Sequence, residues 1–213
     1  MLKLMVLVRR RNDVSHDDLV EQWQSAHMPA VIKHVQPDGY RVTFFDAGDR
    51  VPFDGMASLW FDEADRARRW YESADLASEL QDGFFELTDG RPVVLVCEEH
   101  VIVDGPQPVA AVKVTGLVRR KPQVAADAFF DSWLSDHAPN VADTLSATPG
   151  GLRYVVSHAR LGGEDPEFAG LAEVYYQDAQ AAQAHMKRLG PDPFLKLAEP
   201  AGFLNGYEVV GIG

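Results

Sequence analysis

The sequence predicts an α+β fold made of two βαββαβ halves, and three observations carry that expectation. The block Trp23-Gln24-Ser25-Ala26-His27-Met28-Pro29 returns 110 residues later as Trp133-Leu134-Ser135-Asp136-His137-Ala138-Pro139. The same displacement carries Leu7-Val8-Arg9-Arg10 onto Leu117-Val118-Arg119-Arg120, and Asp82, Phe84 and Leu87 onto Asp192, Phe194 and Leu197. Each half, finally, alternates strand and helix patterns in one order. A single spacing held from an opening strand to a closing one marks a duplicated small domain, not a solenoid unit of 20 to 50 residues.

In the first half, Leu2, Leu4, Val6 and Val8 alternate with Lys3, Met5, Leu7 and Arg9, a strand that is apolar on both faces. Ser15 offers an N-cap to a helix with Asp17 and Asp18 in its first turn and Leu19, Trp23 and Ala26 on one face. Pro29 is expected to end or bend it. Strands follow over Tyr40 to Phe45 and Phe53 to Phe61, joined through a turn at Gly48 and Pro52. Asp62 is expected to cap a helix carrying Ala64, Ala67 and Tyr71, and Val93 to Val103 supplies the last strand.

The second half repeats this with Val112 to Val118, a helix through Phe129, Phe130 and Trp133, Leu152 to Leu161, Phe168 to Tyr176, a helix from Ala179 to Leu189, and Phe203 to Val210. The displacement grows to 114 at Tyr40/Tyr154 and 115 at Gly55/Gly170, so extra residues fall in predicted loops, where a shared backbone tolerates them. The order is the split βαβ, or ferredoxin-like, arrangement. Domain boundaries are expected at 1–103 and 109–213, with 104–108, Asp-Gly-Pro-Gln-Pro, as a stiff linker. A sheet covered by helices on one face leaves the other bare, and the apolar residues there need a partner. The other half's sheet is the partner at hand, which predicts sheet-to-sheet packing into an intramolecular, pseudo-dimeric α+β barrel with a lumen suited to a small apolar ligand.

Composition narrows the function. A net charge of −12 argues against a nucleic-acid partner. No apolar run reaches membrane-spanning length and the opening residues lack a signal-peptide layout. The single cysteine, Cys97, sits in an apolar strand and reads as a buried small hydrophobe, so a cytoplasmic location is expected. No His/Cys spacing suggests a metal site.

The opening Lys-Leu-x-Val-Leu-x-Arg-Arg, the helix-borne Trp-x-x-x-His-x-Pro, Phe53-Asp54-Gly55 and the late Asp-x-Phe resemble the EthD family of the dimeric α+β barrel superfamily. The resemblance runs through both halves. It implies a barrel fold and relatives that include decarboxylases, cyclases and cofactor-free oxygenases. The family's second strand reads like Tyr-x-x-x-His and its third like Asp-Gly-x-x-Glu. The second half keeps Tyr154, His158 and Glu173, with Ala169 for the acid; the first half has Tyr40, but Phe44 and Ser58 at the ionisable places.

Tyr154 and His158 share a strand face, as do Glu173 and Tyr175 on the next strand. A hairpin turning around Gly162 to Pro166 is expected to set His158 opposite Glu173, where the carboxylate would tune the imidazole as a general acid/base and Tyr154 would hold a developing oxyanion. The same pair also reads as a structural cross-strand couple. Tyr175, His27, His137, Tyr40, Trp60 and Phe44 are the candidate substrate-binding residues, although each Trp–His spacing on a helix equally suits packing. His16, His34, His100 and His185 read as surface or locally satisfied residues.

The expected function is cofactor-free acid/base chemistry (decarboxylation, isomerisation or cyclisation) on a small apolar or aromatic oxygenated compound. The competing expectations are a non-catalytic ligand-binding or accessory barrel of a degradation cluster, and a haem-dependent peroxidase-like barrel, which a Soret band would reveal. No cofactor is expected, and association into a homodimer is compatible with such an exterior.

Overall fold

The structure, a computed structural model, describes residues 1–47, 52–72, 80, 83–108, 111–162 and 166–213. Asp82 and Gly48, used in the sequence reading, and residues 163–165 of the expected hairpin turn lie outside the described residues. In chain order come β1 (Leu2–Val8), α1 (His16–Gln22), a π-helical turn (Trp23–His27), α2 (Met28–His34), β2 (Gly39–Phe45), β3 (Gly55–Phe61), α3 (Ala64–Tyr71), a 3₁₀ turn (Phe84–Leu87) and β4 (Val93–Val103). They are followed by β5 (Val112–Arg120), α4 (Ala126–Ser132), a second π-helical turn (Trp133–His137), α5 (Ala138–Ser146), β6 (Gly151–His158), β7 (Gly170–Tyr176), α6 (Ala179–Arg188), a 3₁₀ turn (Pro193–Lys196) and β8 (Ala198–Ile212). The strands follow one another in a closed barrel, β1-β3-β2-β8-β5-β7-β6-β4.

Two compact units divide the chain inside strands: Met1–Val96 with Glu208–Gly213, and Cys97–Tyr207. The sequence placed the boundary at 104–108 instead. The difference arises because β4 and β8 are long enough to pair at both ends. Within the second unit, Glu98 to Val103 ladder antiparallel with β6, and residues 198–206 ladder with β5.

In the first unit, β1 lies against β3 with Leu2 opposite Phe61 and Val8 opposite Gly55, and β2 lies on the other side of β3. One face of this sheet carries Leu4, Val8, Tyr40, Val42 and Leu59 against Leu19, Trp23 and Val31 of the helices. The opposite face of β1 carries Lys3, Met5 and Leu7, all at most 2% exposed. The two-faced apolar pattern is therefore matched by burial on both faces. Trp23 and Trp133 are fully buried, and truncating a core ring of this size costs about 3–5 kcal/mol.

Gly55 and Gly170, at the start of β3 and β7, explain one motif. A Cβ on Gly55 would stand 2.6 Å from the Trp23 ring, so only glycine lets the indole lie on the strand. Beside it, Asp54 accepts hydrogen bonds from the Arg10 backbone N–H (2.8 Å) and Nε (3.0 Å), which ties the Arg-Arg end of β1 to the Asp-Gly start of β3.

Ser15 caps α1 as expected, accepting from the Asp18 N–H at 3.1 Å. Asp62 does not cap α3. That helix starts after Glu63 with no side-chain cap bond, while the Asp62 N–H is committed to the Asp38 carboxylate at 2.8 Å. No helix among the described residues is long and apolar enough to cross a membrane.

Candidate functional site

Both histidines of the repeated block end a π-helical turn. The Met28 N–H bonds the Trp23 carbonyl and the Ala138 N–H bonds that of Trp133, each five residues back. Pro29 and Pro139 account for this. A proline ring clashes with the carbonyl four residues earlier and offers no N–H, and a widened turn relieves both problems. Neither proline stops its helix, which runs on as α2 or α5. Such turns accompany functional sites often enough to single out His27 and His137.

In the first unit a cavity of about 420 Å³ lies between the sheet and its helices. Leu4, Tyr40 and Leu59 wall it from the strands, and Trp23, Val31 and Trp70 from the helices. His27, 5% exposed, is part of the wall. Its ring lies flat on Phe84, with centroids 3.9 Å apart and planes at 16°. Trp23 and Phe85 meet it edge-on at 6.0 and 5.6 Å. The Trp23 indole donates to the Tyr40 hydroxyl at 3.3 Å. Thr88 and Arg91 complete the polar part of the wall.

The corresponding space in the second unit is only about 50 Å³, lined by His137, Tyr154, Tyr176 and His185 among others. Here the Tyr176 hydroxyl and His185 Nδ1 share a 2.6 Å hydrogen bond that ties β7 to α6. Phe61 and Trp70 occupy the corresponding positions in the first half and form no such bond. His137 Nδ1 meets Asp192 Oδ2 at 2.7 Å, and Asn140 donates to the same oxygen at 2.9 Å. Burial pushes the Asp192 carboxyl up, but the bonds from Asn140 and His137 outweigh it and hold the group below its ordinary value. An ionised Asp192 accepts the hydrogen bond from Nδ1–H of His137.

The expected His158–Glu173 couple is not formed. The register pairs His158 with Gly170 and Val155 with Glu173. His158 therefore stands opposite a residue three places from Glu173, and an odd offset puts two side chains on opposite faces of a sheet. His158 lies on the helix-covered face among Phe130 (4.7 Å), Trp133 (5.0 Å) and His100 (4.7 Å). Neither ring nitrogen has a hydrogen-bond partner among the described residues. Burial, reinforced by His100 and Arg160, lowers its pKa to about 3. It lines neither cavity.

On the other face Glu173 pairs with Lys113 at 2.7 Å and accepts from Ser157 Oγ at 3.3 Å. Tyr175 lies beneath the Lys113 ammonium, 5.1 Å from ring centroid to Nζ.

Of the other predicted residues, His27 and Tyr40 line the larger cavity, and His137 and Tyr154 the smaller. Burial raises the Tyr154 hydroxyl well above the usual tyrosine range. Trp60 lies outside the larger cavity, with Lys3 (5.0 Å) and Arg41 (5.8 Å) over its ring. Phe44 is core, packed edge-on against Trp23 at 5.5 Å. Asp192, Lys113 and Arg91 were not singled out from the sequence. The signal for Asp192 was present, since its spacing from His137 repeats that of Asp82 from His27. Among the described residues no group of three or more His, Cys, Asp or Glu could hold a metal ion.

Residues 121–192 match the model of the EthD domain, which bears out the resemblance read from the motifs. No curated protein sequence matches the chain significantly. Among solved structures, an anthrone oxidase-like protein superposes with a TM-score of 0.64 at 14% identity, over 99% of this chain and 93% of that one. A mutant chlorite dismutase from Candidatus Nitrospira defluvii gives 0.61 at 9% identity, over 98% and 91%. At such identities the likeness is one of fold.

Proposed function

We propose that the chain is a small-molecule enzyme performing acid/base chemistry on an apolar or aromatic oxygenated compound seated in the cavity of the first unit. The observation that carries this reading is the 420 Å³ apolar cavity with His27 in its wall. Its volume falls in the range of ordinary ligand pockets, about 300–1,000 Å³. His27 takes a proton from carbon or oxygen of the ligand and returns it, and the Tyr40 hydroxyl, already accepting from Trp23, donates to the oxygen on which charge develops. Decarboxylation, isomerisation and cyclisation share that step. The acid/base role thus passes from His158 and Glu173 to His27.

The name of the anthrone oxidase-like neighbour supports the ligand class, a fused aromatic carrying oxygen. The same proposal includes an origin of the two halves as duplicated ferredoxin-like units forming a pseudo-dimeric barrel, and symmetric association of two chains, checked by light scattering.

Anthrone itself tests the chemistry. Its carbonyl acidifies the carbon between the rings, so deuterium exchange at that carbon, followed by NMR under nitrogen, reports proton transfer alone. The wild-type protein is expected to accelerate exchange over buffer, His27→Gln to lose the acceleration by about a hundredfold or more, and His158→Phe to keep it. Exchange at the buffer rate, or full activity of His27→Gln, would sink the reading.

The flat stacking of His27 on Phe84 at 3.9 Å favours a second reading, a carrier whose histidine only packs. Bound anthrone exchanging at the buffer rate would select it. The residues fit the haem alternative poorly: His158 is enclosed by three rings and His137 has only about 50 Å³ beside it.

A further inference from the structure

We infer that the ligand of this cavity carries an anionic head, a carboxylate on an aromatic or polycyclic body, and that Arg91 receives it. The inference rests on the reading of the first unit's cavity as a ligand site. Three observations support it.

Among the described residues the cavity wall contains no Asp or Glu, although the chain has 32 acidic against 20 basic residues. Arg91, an exposed residue, is the arginine among the residues that line it. A cationic residue thus borders an apolar space whose described wall carries no acid.

Arg91 is uncommitted. Other arginines of the first unit are occupied: Arg9 on the Pro52 carbonyl, Arg10 on Asp54, Arg11 on Asp13, Arg41 on Glu208 and Arg66 on Asp38. Among the described residues Arg91 has no hydrogen bond or ion pair. Its planar fork of donors matches a carboxylate with two parallel bonds.

The backbone holding it is fixed on both sides. Leu87 and Asp89 are bonded to Arg11 and Arg9 at 2.8 Å, and the Thr88 hydroxyl to the Phe85 carbonyl at 3.0 Å. Gly90 then turns the chain at φ 72°, a conformation that favours glycine, and Pro92 restrains the far side before β4 begins. A rigid base lowers the entropy lost when a ligand immobilises the side chain.

The apolar body of the ligand then packs against Trp23, Trp70, Leu4 and Leu59, and the head stays at the exposed rim with Arg91. In a chain of net charge −12, this arrangement selects anions locally against the overall field.

Two probes with the same ring system test it: anthracene carboxylate and its neutral counterpart anthracene methanol. Binding is read by quenching of tryptophan fluorescence, since Trp23 and Trp70 line the cavity, and by calorimetry. Wild type is expected to bind the carboxylate about tenfold or more tightly than the alcohol, with the preference shrinking at high salt. Arg91→Gln should abolish the preference and leave the alcohol's affinity unchanged, and Arg91→Lys should restore part of it. Equal affinities in wild type, or a preference that survives Arg91→Gln, would overturn the inference while leaving the cavity reading intact. Binding of neither probe would overturn both.

Discussion

Lys113 and Glu173, on neighbouring strands β5 and β7, form a 2.7 Å ion pair with both side chains withdrawn from solvent. Glu173 also accepts from Ser157. Such a pair adds little net stability over apolar residues of equal size, but losing one partner strands a buried charge. Glu173→Ala is therefore expected to cost about 3–5 kcal/mol in urea unfolding, and Lys113→Met combined with Glu173→Leu to recover most of that. If the single variant unfolds like wild type, the pair has no structural role.

His158 predicts a pH dependence with a definite sign. The unfolded ring takes a proton below its ordinary pKa of 6.5, whereas the folded ring resists until about 3. Stability is full above 6.5 and falls as pH drops through that window, by at most about 5 kcal/mol. Phe44 occupies the corresponding place in the first half, so His158→Phe should fold normally. Denaturation midpoints of the two proteins should diverge below pH 6.5, with the variant the more stable. Parallel curves from neutral pH down to 3 would contradict this assignment.

Gly170 is the least replaceable glycine of the pair that seats the indoles. A Cβ there would stand 2.4 Å from the Ser157 backbone oxygen and 3.1 Å from the Trp133 ring. Gly170→Ala is expected to destabilise by about 3 kcal/mol, the upper end for overpacking, because the strand must shift. Gly55→Ala, which meets only the Trp23 ring at its closest point, should cost less. Thermal denaturation of both variants checks the ranking.

Asp54→Ala removes the acceptor of two Arg10 bonds. The second half already has Ala169 at that position, so the fold tolerates the change. A loss of about 1–3 kcal/mol is expected by chemical denaturation, with no change in the far-UV spectrum.

Much of the fold was readable because alternation and capping are local. β4 was bounded correctly at both ends, and Ser15 marked the start of α1. The pairing of His158 with Gly170 was not readable, since register depends on how many loop residues the hairpin spends between Ala159 and Ala169, whose backbones bond at 2.8 Å. A slip of that kind reverses the face of every side chain on the strand. The cavity was equally hidden. Its size differs about eightfold between the units, a difference that hydrophobic periodicity does not register. His27 was named as a candidate, but its value emerged only with the space beside it.

The division of the chain within β8 also sets a timetable for biosynthesis. The first unit needs Glu208–Gly213 to finish its sheet, and those residues follow the whole of the second unit in the chain. The first unit therefore cannot mature before the second has been synthesised. A stop codon in place of Glu208 would cripple a region translated long before it.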